Sequence, residues 1–296
     1  MARYVVCAVF LLTSIASVAM GDRLPETGST RIYDKSERIT IRGYDGDAME
    51  PFITRDGRYL LFNNRNDPAE KTDLHWATRV DDLTFDYKGK INGANTDNAL
   101  EGVANMDRNG TLYFISTRSY EKSLSTIYRG KFVNGRVSDV EIVPGISRME
   151  MGIVNFDAEI SPDGNTLYFV DGRFAFGGLP KTADIVIAER DGDTFHRSAD
   201  SDKIMQNVNS AVLEYAPCIS ADGLTLFFTR LRNGLGGEPS IYMAQRSGSG
   251  EPFGPSLKLD ALEGFVEAAT LSPDEKSIYY HRREGEKFVL YRVTRH

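Results

Sequence analysis

Hydrophobic and polar positions alternate along Thr166–Val170, with Leu167 and Phe169 on one side and Thr166, Tyr168 and Val170 on the other. A period of two predicts a β-strand. Asp163-Gly164 stands just before it, and glycine tolerates the positive φ of a tight hairpin turn. The same turn-then-strand pattern recurs with its turn residue at Asp56, Asn109, Asp163, Asp222 and Asp274, spaced 53, 54, 59 and 52 residues apart. The following strands are predicted at Tyr59–Asn63, Thr111–Ser116, Thr166–Val170, Thr225–Thr229 and Ser277–His281. Third strands follow at Asp73–Arg79, Thr126–Lys131, Asp184–Arg190, Ser240–Arg246 and Phe288–Val293.

A fixed period of this size, with four strands per unit, predicts an all-β fold: a single β-propeller of five four-stranded blades. One such sheet cannot cover both of its faces, so the units stack around an axis to form a core. Phe62, Phe114, Phe169, Phe228 and Tyr280 end the second strands and are expected to fill the space between blades. The fifth unit has only three strands, and Glu37–Arg42 alternates as an unassigned strand near the other end. The expectation is that Glu37–Arg42 pairs with Phe288–Val293 and closes the ring, which removes two open sheet edges. The longer inserts at Asn92–Leu100, Arg173–Ala183 and Ser198–Val212 are expected to carry specificity.

Composition narrows the picture. Hydrophobic residues make up 41% and charged residues 26%, values of a folded globular chain rather than a disordered one. The net charge of −7 argues against a nucleic-acid partner, because phosphate binding needs clustered Lys and Arg. Residues 1–21 differ from the rest: Arg3 precedes an apolar run from Tyr4 to Ala16, and Ala19 and Gly21 are small. That pattern reads as a secretory signal cleaved before Asp22, the alternative being an uncleaved N-terminal anchor. Residues 22–296 would then form the propeller domain, periplasmic or secreted, monomeric and with no stable membrane insertion. Cys7 lies in the signal, so Cys218 alone remains in the mature chain and is expected to be a small buried residue.

Units of the form Ser-Pro-Asp-Gly, then Leu-Tyr-Phe, then Arg, then a strand such as Asp184–Arg190, resemble the TolB-type, WD40-like β-propeller repeat. Arg65, Arg118, Arg173, Arg230 and Arg282 supply that arginine. The resemblance spans nearly all of the mature chain. It departs at the second unit, Met106–Gly110, and at the fifth, where Glu275 replaces the glycine. The family includes periplasmic scaffolds that bind proteins and propellers attached to peptidases, so the resemblance implies recognition more directly than catalysis.

Catalytic motifs are sparse. His75, His196, His281 and His296 show no metal-ligand spacing, so neither a metal ion nor a cofactor is expected. No nucleophile elbow or phosphate-binding glycine loop occurs. Asp45-Gly46-Asp47 and Asp191-Gly192-Asp193 read as hairpin turns rather than calcium loops. The acids are more informative. Glu50, Glu101, Asp157, Glu159, Glu214 and Glu267 fall near the starts of innermost strands, where side chains approach the channel. Glu101, Asp157, Glu214 and Glu267 come from four different units and form the candidate ligand site. Their ligand would be a protein, peptide or carbohydrate. The structural alternative has each acid accept backbone N–H groups or pair with an arginine. A further alternative uses two of them as acid and base of a glycoside hydrolase or lyase. Trp76 is expected to pack between blades, or to stack on a sugar if exposed.

Overall fold

Each predicted turn starts an antiparallel pair. In the computed structural model, which describes residues 33–66, 71–174, 180–232 and 237–295, Gly164 N–H donates to the Ser161 carbonyl at 2.8 Å. The Ser161 hydroxyl in turn donates to Asp163, at 2.5 Å. Ser220–Asp222 and Ser272–Asp274 repeat the contact at 2.6 Å, and Thr54–Asp56 at 2.7 Å. Both departures from the repeat keep the turn. In the second unit Asp107 takes the serine's place and accepts the N–H groups of Asn109 and Thr111 at 2.8 and 2.9 Å. In the fifth, Glu275 itself adopts a left-handed φ of 57°, a conformation that glycine reaches without steric cost.

The described strands form four hydrogen-bonded sheets, the largest of which runs through both the third and the fourth repeat units. The innermost strands of the repeat units are Met49–Ile53, Glu101–Met106, Ile153–Ile160, Leu213–Ile219 and Val266–Leu271. Each pairs antiparallel with the strand after its turn, and that strand pairs with a third. The third and fourth units are also joined by one parallel pairing, Ala183 with Leu213. Each innermost strand contacts the next, and the last contacts the first. Phe62, Phe114, Phe169, Phe228 and Tyr280 are all fully buried. Four of them stack on a ring of the third strand: Phe62 on His75, Phe114 on Tyr128, Phe228 on Tyr242 and Tyr280 on Tyr291. Trp76 is half-buried and meets Tyr59 and Phe132 edge-on, within the cluster that joins the first and second units.

The N-terminal segment departs from expectation in one respect. Within Glu37–Arg42, Glu37–Arg38 alone pairs with the last strand, opposite Arg292 and Tyr291, while Tyr33 bridges Arg295 and the Asp34 N–H bonds to Thr294 O at 2.8 Å. The Ile39 N–H still bonds to Leu290 O at 2.9 Å, but Thr40 N–H turns to Leu83 O at 2.8 Å. Thr40–Arg42 then runs parallel to Thr84–Asp86 of the first unit. The cause is Ile39. Its side chain is buried in a cluster with Phe85, Tyr279 and Leu290, drawn from the first and last units. Burying it there carries the chain from one sheet to the next.

The innermost strands share a further device. Each has a register shift, between Met49 and Phe52, Gly102 and Asn105, Phe156 and Glu159, Tyr215 and Cys218, and Glu267 and Thr270. Within each shift one residue has positive φ: Glu50, Val103, Asp157, Ala216 and Ala268, all between 49° and 55°. These are β-bulges, which re-aim side chains and leave a backbone group unpaired by the ladder. A side chain of the neighbouring unit accepts the freed N–H in four of them. Asn63 takes Val103 (3.0 Å), Thr229 takes Ala268 (3.1 Å), His281 takes Glu50 (3.2 Å) and Asp157 takes Ala216 (3.0 Å).

Candidate functional site at the channel axis and its mouth

The bulges bring acids to the axis. Glu50, Asp157 and Glu159 line a cavity of about 30 Å³ together with Asn105, Ala216 and Thr270. Glu267 adjoins them. It accepts the Tyr215 hydroxyl and lies 2.9 Å from His281 Nε2. Because His281 Nδ1 accepts the Glu50 N–H, the ring proton sits on Nε2 and points at Glu267. Burial pushes the Glu50 carboxyl well up, and the neighbouring Asp157 and Glu267 charges push it further. Burial likewise raises Asp157 to about 7, only partly relieved by the Ala216 N–H and reinforced by Glu267. Glu159 also rises to about 7 through burial, although the Arg55 guanidinium stands 3.1 Å away and lowers it. Asp157 Oδ1 and Thr270 Oγ1 are buried with no hydrogen-bond partner among the described residues.

Of the four acids singled out from sequence, the structure brings Asp157 and Glu267 together at the axis. It gives Glu101 and Glu214 a different setting, and the two match each other closely. Glu101 accepts the Thr96 N–H (3.0 Å) and hydroxyl (2.8 Å), the Ser116 hydroxyl (2.8 Å), and Arg118 at 3.3 Å. Glu214 accepts the Ser210 N–H (3.0 Å) and hydroxyl (2.6 Å), and Arg230 Nε at 2.7 Å. Both carboxylates are fully buried. The residue before each hydroxyl, Asn95 or Asn209, clamps both backbone groups of a third strand in the preceding unit, at Leu74 or Ile185. Arg118 and Arg230 lie over the stacked rings of their own units. The repeat's arginine therefore serves here as a scaffold cation, paired with an inner-strand acid and seated on aromatic faces.

Next to Glu214, on the side where the third innermost strand begins at Ile153, lies a larger opening, the mouth cleft. Two of the long inserts contribute to it: Arg173 and Thr182 from one, Asp202 and Gln206 from the other. Arg148, Asp171 and Asp184 complete a cleft of about 460 Å³. Burial would raise Asp171, but Arg197 and Arg148 more than offset it and hold this carboxyl low. Asp184 has no such cation among the described residues. Burial and the charges of Glu214, Asp171 and Asp202 push it up.

Sequence reasoning missed Tyr215, His281 and Arg55 at the axis. A signal for His281 existed: Asn63, Thr229 and His281 each directly follow a second-strand aromatic, and each accepts a bulge N–H. Cys218 is buried, and burial pushes its thiol well up, as befits a packing residue. Among the described residues no His, Cys, Asp and Glu side chains group in threes to hold a metal ion, and no helix is long and apolar enough to cross a membrane. The signal-like residues 1–21 lie outside the described residues.

No protein-family model matches the chain, and no curated protein sequence matches it. Solved structures do. A family-43 glycoside hydrolase described as thermostable aligns with a TM-score of 0.53 at 13% identity, covering 87% of this chain and 91% of that one. A family 117 glycoside hydrolase produced by Zobellia galactanivorans aligns with a TM-score of 0.56 at 9% identity, covering 89% and 90%. TolB from Acinetobacter baumannii aligns at 0.47 and 14% identity, covering 84% of this chain, which spans 54% of the length of that TolB structure. Similarity this low in sequence carries the fold: the chain is an all-β protein of the β-propeller class.

Proposed function

We propose that this chain is an exported, five-bladed β-propeller that recognises a protein, peptide or glycan at its channel mouth without turning it over. The observation that carries this reading is the contrast between two openings. Ligand pockets measure about 300–1,000 Å³. The mouth cleft, at about 460 Å³, falls in that range, while the axial cavity, at about 30 Å³, has room for little more than water. The cleft is also built from the long inserts, where propeller specificity resides.

The closed five-blade arrangement is supported by the cyclic contacts of the innermost strands and by the N-terminal segment, which bonds to both the last unit and the first. A chain beginning at Gly43 loses the buried side chains of Tyr33 and Ile39. Its unfolding free energy should fall by roughly 3–6 kcal/mol, at about 1.5–3 kcal/mol for each large side chain. Denaturant unfolding checks this, and an unchanged midpoint would sink the closure.

The second reading is a glycoside hydrolase or lyase acting through the axial acids. It is favoured by the glycoside hydrolases among the structural neighbours and by Asp157, whose carboxyl near neutrality suits proton transfer. The deciding experiment pairs a turnover screen on oligo- and polysaccharides with capture from the native envelope. Capture of one partner or glycan without turnover is expected. The mass of the native protein, beginning at Asp22, tests export in the same preparation. Robust turnover would replace the first reading with the second.

A further inference from the structure

At the opposite ends of the innermost strands, beside the Asp-Gly turns of the first two units, lies a second cleft of about 290 Å³. It is separate from the opening beside Glu214 and meets the axis only through Arg55, which lines it and reaches Glu159. Its floor is Tyr59 and Phe132, which meet edge-on. Its rim is Val133 and Asn134 of the hairpin that turns at Asn134-Gly135, with Val133 60% exposed.

This rim is held in place. Asn134 and Gly135 have φ of 47° and 80°, the pair of positive values that a two-residue hairpin turn requires. The Gly135 backbone lies against Trp76 so closely that an added Cβ would stand 2.2 Å from the ring. The Tyr59 hydroxyl donates to Asn134 Oδ1 at 2.7 Å, which leaves the Asn134 amide nitrogen as a donor. A wall fixed before binding loses little freedom on binding.

The polar groups of the cleft are mostly donors. Asp56 is taken up by Thr54 and Arg58, and Asp107 Oδ1 by the N–H groups of Asn109 and Thr111. Arg55 reaches inward to Glu159. The Arg108 guanidinium is exposed and has no hydrogen bond or ion pair among the described residues. A chain of net charge −7 thus carries here a free cation beside an apolar wall. A guanidinium fork matches a carboxylate in bidentate geometry. Apolar and aromatic surface next to amide donors suits the C–H face and hydroxyls of a sugar ring.

We propose that this cleft binds a carboxylate-bearing sugar unit, with Arg108 on the carboxylate, Asn134 and Asn109 on hydroxyls, and Val133 and Tyr59 against the ring. No chemistry is assigned to it: Asp56 and Asp107 Oδ1 accept the groups of their own turns. The proposal is independent of the mouth cleft and stands or falls separately.

Calorimetric titration of the mature protein at low salt tests it with three probes: trigalacturonate, maltotriose and inorganic phosphate. Trigalacturonate should bind at least about tenfold more tightly than either other probe. Arg108→Ala should weaken that binding by about tenfold or more without changing the melting temperature, and Arg108→Lys should fall between. Arg108 is exposed, so the variant is expected to fold, and its melting curve verifies this. Absence of trigalacturonate binding, equal binding of maltotriose, equal binding of phosphate (a simple anion site), or an unaffected Arg108→Ala each overturns the proposal.

Discussion

Replacing Asp157 by asparagine should stabilise the fold at pH 8 and have little effect at pH 4. Asp157 is buried and its carboxyl is pushed from 3.8 to about 7, so the folded state holds a proton that the unfolded state releases. Stability then falls as pH rises between those two values, because the unfolded chain binds fewer protons there. A carboxyl moved that far makes its ionised folded form unfavourable by at most about 4 kcal/mol above pH 7. Asparagine carries no such penalty and still offers an oxygen to the Ala216 N–H. A gain of roughly 2–4 kcal/mol at pH 8 is expected, shrinking below pH 7 and gone near pH 4. Glu159 is raised to about 7 for the same reason, so the wild type should itself lose stability between about pH 4.5 and pH 7. Chemical denaturation across that range checks both statements. A loss of stability in Asp157→Asn at pH 8 would mean that the charge at the axis is wanted rather than tolerated.

The opposite sign is expected at the mouth. Glu214→Gln removes the charge opposite a guanidinium that is itself only 10% exposed, and should cost about 3 kcal/mol. For a domain of this size that is a fall in melting temperature of roughly 6–12 °C. Glu101→Gln should cost less, because its partner Arg118 is 21% exposed and water can take over part of the role. The order of the two losses is as informative as their size. If neither variant melts lower, the matched acid, hydroxyl and arginine sets are not what ties the inserts to the sheets.

Much of this architecture was legible because its chemistry is local. An Asp-Gly turn and a period of two need only a few neighbouring residues, and the turns recur at nearly even spacing. The site was harder to read, for a reason that lies in the bulges. A strand's alternation tells which way a side chain points only while the register holds. Here it slips once in each innermost strand, at Glu50, Val103, Asp157, Ala216 and Ala268. None of these is glycine, so nothing in the sequence marks the slip. Glu101 and Asp157 look alike as inner-strand acids, yet one faces Arg118 and the other the axis. The crossing of the N-terminal segment was hidden in the same way. Ile39 and Ile41 alternate as a strand should, but alternation does not name the partner strand.

Whether ligands meet the mouth cleft or the axis can be decided with two variants. Gln206→Trp fills the cleft with a large side chain, and Asp157→Asn alters the axis without filling anything. Both are titrated, beside the wild type, with the partner or glycan captured from the envelope and followed for product. The expected result is that Gln206→Trp loses binding while melting normally, and that Asp157→Asn binds as the wild type does with no product from any of the three. Product formed by the wild type and abolished by Asp157→Asn, with Gln206→Trp unaffected, would contradict it and make the axial acids a working active site.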